Sequence, residues 1–135
     1  MEITTKQHDA KKSVEGVWFD YGTDGAKLLI ARAGNRDYNA AFERTLKQYE
    51  KKKRPGQFDF PPGEMRKISG RLTAEHILKD WRGITENGVE VPYSQAKAIE
   101  WMTSPDMDEF VDDVIAFSED AERFRTEEVD AAVKK

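Results

Sequence analysis

Apolar positions alternate through residues 14–20, with Val14 and Trp18 on one side and Val17 and Phe19 on the other, which is the period of a strand. Gly22, Asp24 and Gly25 supply a turn, and residues 26–32 form a return strand rich in Leu and Ile. The chain is therefore expected to open with a β-hairpin. Past Gly34, the residues Tyr38, Phe42, Leu46 and Tyr49 recur at helical spacing and predict a helix over residues 37–53. Glu43 and Lys47 are placed to pair on its other face. Pro55 and Gly56 end it, and Pro61, Pro62 and Gly63 mark a loop that Phe58 and Phe60 are expected to hold down. Residues 64–79 return to helical periodicity, with Met65, Ile68 and Leu72 on one line and Ala74, Ile77, Leu78 and Trp81 on the next. So broad an apolar face predicts a helix buried on more than one side.

The sharpest turn signal follows, in residues 81–94. Asn87 and Gly88 are the pair that a two-residue hairpin loop needs, and Ile84, Val89 and Val91 are its β-branched flanks. Pro92 ends the ribbon, and Ser94 is placed to cap a short helix carrying Ala98, Ile99, Trp101 and Met102. Ser104, Pro105 and Asp106 restart the chain. A last helix is expected to run through Phe110, Val114, Phe117, Ala121 and Phe124, which repeat in a 4-3-4-3 spacing. The pattern as a whole predicts a predominantly helical α+β single domain over residues 14–130, with an N-terminal β-hairpin and a second short β-ribbon. Residues 1–13, which have no face to bury, are expected to be a mobile tail. Trp18, Trp81, Tyr93, Trp101, Phe110, Phe117 and Phe124 are the expected structural anchors.

Composition adjusts this picture in two ways. Charged residues make up 36% of the 135 and hydrophobic residues 38%, so the core must be small or completed by a partner, a second copy of the chain being one candidate. The charge is also divided. Residues 1–67 carry 14 Lys and Arg against 10 Asp and Glu, and residues 68–135 carry 8 against 16. That division suits docking to a basic partner or self-association. With no cysteine, no apolar run of membrane length and no leader pattern, a cytoplasmic location is expected.

Candidate chemistry is sparse. His8 and His76 have no partner at ligand spacing, and no glycine-rich phosphate loop is present, so no catalytic, cofactor or metal residues are expected. Asp112 and Asp113, like Glu119 and Asp120, are neighbours in sequence, and neighbours on a helix point about 100° apart, so neither pair converges on one atom. These four are instead candidates for docking a basic partner. Lys51, Lys52, Lys53 and Arg54 form the one basic cluster. It is better suited to compensating a helix C-terminus than to gripping nucleic acid, whose binders spread positive charge along a face.

Several segments together resemble a known family. They are residues 17–22, residues 26–35 with the helix containing Tyr38 and Phe42, residues 77–84, residues 87–94, and residues 110–114 continuing into residues 121–125. Their order and spacing, from residue 14 to residue 128, are similar to those of the tail assembly chaperones of long-tailed bacteriophages and prophages. The resemblance implies a protein that is not an enzyme, binds the tape measure protein, keeps it soluble and helps recruit tail tube subunits. It also implies residence in the cytoplasm of the bacterial host, and absence from the mature virion. The alternatives are a small nucleic-acid-associated accessory protein, with Lys51, Lys52, Lys53 and Arg54 as its contact, and a structural tail completion or connector protein.

Overall fold

The computed structural model describes residues 9–54 and 63–125. Helix α1 (Ala10–Glu15) begins where an Asp9 carboxylate oxygen accepts the backbone N–H groups of Lys11 and Lys12 at 2.9 and 3.0 Å. Residues 10–13, assigned to a tail on their lack of apolar side chains, thus belong to a capped helix. It is held from outside its own sequence: the Asp9 N–H donates to the Phe124 carbonyl, and the Arg32 N–H to that of Ser13. Gly16 stops α1 with φ at 99°, and a Cβ there would press on the Ile30 carbonyl at 3.1 Å. Only glycine fits so close an approach.

Strands β1 (Val17–Tyr21) and β2 (Ala26–Ile30) form the expected hairpin, with Phe19 opposite Leu28. Its first strand starts later than the alternation suggested, because Val14 belongs to α1. Asn35 then caps α2 (Arg36–Lys52). Its side-chain oxygen accepts from the Tyr38 N–H at 2.9 Å, and its amide donates to the carbonyls of Arg32 and His76. One residue, 1% exposed, therefore ties the start of α2 to the end of α3 (Glu64–His76). Phe58 and Phe60 lie outside the described residues.

Helix α3 is shorter than predicted. Leu78 and Trp81, which completed its apolar pattern, sit instead on β3 (Leu78–Arg82), which pairs antiparallel with β2 to give the sheet order β1-β2-β3. The register explains the misreading. Ile30 faces Leu78 and Leu29 faces Asp80, so Lys79 is one extra residue in a β-bulge. The bulge lets Leu78 and Trp81 both point inward although three positions apart, which imitates one turn of helix.

Asn87 and Gly88, with φ at 52° and 78°, make the tight turn between β4 (Thr85–Glu86) and β5 (Val89–Glu90). Ser94 caps α4 (Gln95–Thr103), its hydroxyl accepting from the Lys97 N–H at 3.0 Å. A 3-10 turn (Pro105–Met107) leads into α5 (Asp108–Ser118). The last helix does not continue to Phe124. The Ser118 carbonyl accepts the Ala33 N–H at 2.8 Å, and Glu119 and Asp120 put negative charge at the negative end of the helix dipole. A second 3-10 turn (Ala121–Phe124) still delivers Phe124 to the core, where it is fully buried.

Helices α3, α4 and α5 cover one face of the sheet. Phe19, Leu28, Ile30, Leu78 and Trp81 meet Ala74, Trp101, Met102, Phe110 and Val114 there. As expected, α3 packs on two sides, against α2 and α4. The aromatic side chains form a continuous series: Tyr93, Trp81, Trp101, Phe110, Tyr21, Phe117, Phe19 and Phe124, with successive centroids 4.8 to 6.2 Å apart. Of the expected anchors, Trp81, Trp101, Phe110 and Phe124 are buried, and Tyr93 and Phe117 are half-buried. Trp18 is the exception. It stands half-buried on the opposite face of the sheet, with the Arg82 guanidinium 4.3 Å above its ring. Among the described residues no helix is long and apolar enough to cross a membrane.

Candidate functional site

Tyr21 ends β1 with its ring half-buried against Phe110 and Phe117 and its hydroxyl donating to an Asp113 carboxylate oxygen at 2.7 Å. Two clefts are lined by Tyr21, the second also by Asp113. One, of about 440 Å³, is lined by Tyr21, Asp106, Met107, Asp108, Glu109 and Phe110. The other, of about 530 Å³, is lined by Tyr21, Gly22, Asp24, Ala26, Gly83, Ile84, Thr85 and Asp113. They share Tyr21 and together make a groove whose lining combines the Tyr21 and Phe110 rings with the carboxylates of Asp24, Asp106, Asp108, Glu109 and Asp113. The hairpin turn, the start of β4 and the first turns of α5 meet to form it.

The electrostatics follow from this placement. Partial burial, then the bond to Asp113 and the charges of Asp113 and Glu109, push the Tyr21 phenol up to about 12. It therefore remains a neutral donor at physiological pH. Asp108 is engaged by the Arg66 guanidinium from α3, while Asp24, Asp106 and Glu109 are exposed. Such a groove can accept a segment that presents an apolar side chain to the Tyr21 and Phe110 rings and Lys or Arg to the rims.

The four carboxylates singled out from the sequence do not form one surface. Asp113 is on the groove wall, and Asp112 is exposed on the next position round α5. Glu119 and Asp120 lie beyond the end of α5, where Glu119 lines a separate cleft with Arg32, Ala33, Ser118 and Ala121. The helix break separates the pairs. Sequence reasoning missed Tyr21, Asp24, Asp106, Asp108 and Glu109 as a group. The available signal was a tyrosine beside a turn, with Asp24 three positions on and the other acids of the group 85 or more positions away.

Other candidates are placed as follows. His76 ends α3 and lines a small cleft with Arg44, Gln48, Arg71 and Glu75, while His8 lies outside the described residues. Lys51 and Lys52 are exposed in the last turn of α2, and Lys53 pairs with Glu50 at 3.3 Å. Among the described residues no group of three or more His, Cys, Asp or Glu side chains is arranged to hold a metal ion.

No curated protein and no solved structure matches this chain. A family model does, over residues 33–135, a span that takes in α2 to α5 and one rim of the groove but not the β1–β2 hairpin with Tyr21 and Asp24. That family is described as YdaY prophage protein, and with most of its length matched the chain belongs to it.

Proposed function

We propose that this prophage protein is a tail assembly chaperone that holds a basic, amphipathic segment of the tape measure protein in the groove beside Tyr21. In this reading the bound segment is kept soluble until tail tube subunits assemble around it, and no catalysis is involved. The observation that carries the proposal is the groove itself, with exposed Asp24, Asp106 and Glu109 among a lining that includes the Tyr21 and Phe110 rings. Membership of a prophage family and the likeness in segment order support the setting. A long helical protein awaiting assembly exposes apolar stripes that associate unless masked, and an acidic-rimmed groove masks a basic stripe while staying soluble itself.

Co-expression of the chain with the tape measure protein of the same prophage tests this. The expected result is co-purification and a larger soluble fraction of the tape measure protein, both reduced when Asp24 and Glu109 are changed to Lys. Failure to co-purify, with solubility unchanged, would remove the reading. A nucleic-acid role would use the exposed Lys51 and Lys52, and a gel shift that weakens steeply with salt is what it requires.

A further inference from the structure

We propose that the cleft between α1, the turn at Arg32 and the start of α2 is a binding site for a small oxyanion with the charge and size of phosphate. The cleft, of about 240 Å³, is lined by Ala10, Ser13, Val14, Arg32, Asn35 and Arg36. Two of its polar atoms, the Arg32 Nε and the Ser13 Oγ, are buried without a hydrogen-bond partner among the described residues. Arg32 has no acidic partner among the described residues, and its Nε is buried without an acceptor. Ser13 is 7% exposed and its hydroxyl is likewise unpartnered. The bond from the Arg32 N–H to the Ser13 carbonyl, at 2.9 Å, fixes these two residues side by side.

The first turn of α2 completes the cleft. Asn35 satisfies the Tyr38 N–H, so the N–H groups of Arg36 and Asp37 are left without an acceptor among the described residues at the positive end of a helix of 17 residues. Arg36 adds a second guanidinium, whose contact with Asp37 at 3.1 Å is exposed. Asp37 is the one carboxylate in this turn, and that pairing offsets its charge. Two guanidinium groups, a hydroxyl and a helix N-terminus form a set of donors whose complement is a compact group made of acceptors. None of these residues belongs to the groove at Tyr21, so the anion site and the docking reading can fail independently.

The test is an NMR titration of the full chain with inorganic phosphate replacing chloride at constant ionic strength and constant pH, following the Arg32 Nε–H and the Arg36 and Asp37 amides. The expected result is saturable shifts at all three. The midpoint should move to about tenfold higher phosphate in Arg32→Gln, the loss of one charge-assisted contact, and by a smaller factor in Ser13→Ala. A parallel titration with acetate distinguishes a phosphate from a carboxylate source, and saturation by either supports the site. Shifts that stay linear and match those of chloride mean an adventitious ion only and overturn the proposal. A midpoint unchanged in Arg32→Gln also overturns it. Should that variant lose its fold, the wild-type Arg32 Nε–H decides, because a resonance that does not move under phosphate excludes the site.

Discussion

Trp81 is 3% exposed, stacks on Trp101 with centroids 4.9 Å apart, meets Tyr93 edge-on, and donates its indole N–H to the Val91 carbonyl at 2.8 Å. Truncation would open a cavity and leave that carbonyl unpaired. Trp81→Ala is therefore expected to cost about 3–5 kcal/mol, read from urea unfolding, and a loss below about 1 kcal/mol would mean that the ring contributes little to the core. The sequence identified Trp81 as an anchor but assigned it to helical periodicity, because a bulge at Lys79 has no signature in residue type. Tyr21 makes a second prediction at this scale. Its phenol is raised from 10.0 to about 12, so the folded state favours the neutral form. That contribution to stability is whole below pH 10 and is lost as pH rises through about 12. Phenolate absorbance should show a late-titrating tyrosine that disappears in Tyr21→Phe. In Asp113→Asn that tyrosine should titrate earlier, because the carboxylate's charge is gone while the burial remains. A late phase unchanged in Tyr21→Phe would assign it to another tyrosine.

Between elements, α3 approaches α4 closely at Gly70, where a Cβ would overlap the Met102 carbonyl oxygen and touch the Thr103 side chain. Two effects of Gly70→Ala oppose each other. Alanine is favoured over glycine inside a helix by about 1 kcal/mol, and overpacking costs about 1–3 kcal/mol. The obstructing atom is backbone on a helix that carries the buried Trp101 and Met102, so it cannot give way without moving the core. Gly70→Ala should therefore lower the melting temperature, and a higher one would show that α4 shifts freely. Element scale is also where legibility was uneven. The turn at Asn87 and Gly88 and the cap at Ser94 were readable because their chemistry is local. The end of α5 at Ser118 was not, because it depends on a bond from Ala33, far away in the chain, and the periodicity of Phe117, Ala121 and Phe124 continues past it.

At the scale of the molecule, the acidic character of the second half of the chain was evident from counting, but its organisation was not. The groove exists because the Tyr21 hairpin, the Gly83 to Thr85 segment and the start of α5 converge, and only Asp113 among the four sequence candidates shares it. This makes position, rather than total charge, the testable variable. Asp24 and Glu109 are exposed on opposite rims, whereas Asp112 and Asp120 are exposed outside the groove. The double variants Asp24→Lys with Glu109→Lys and Asp112→Lys with Asp120→Lys change net charge equally. As surface substitutions, each is expected to alter stability within about 0.5 kcal/mol. If a basic segment docks in the groove, only the first pair should weaken its capture and flatten its salt dependence. Screening confines such effects to about 8 Å at physiological ionic strength, which leaves remote charges a minor influence. Association rates of the tape measure protein with each variant, measured across salt, give the comparison. Equal slowing by both pairs would mean that overall charge attracts the partner and that the groove is not its seat.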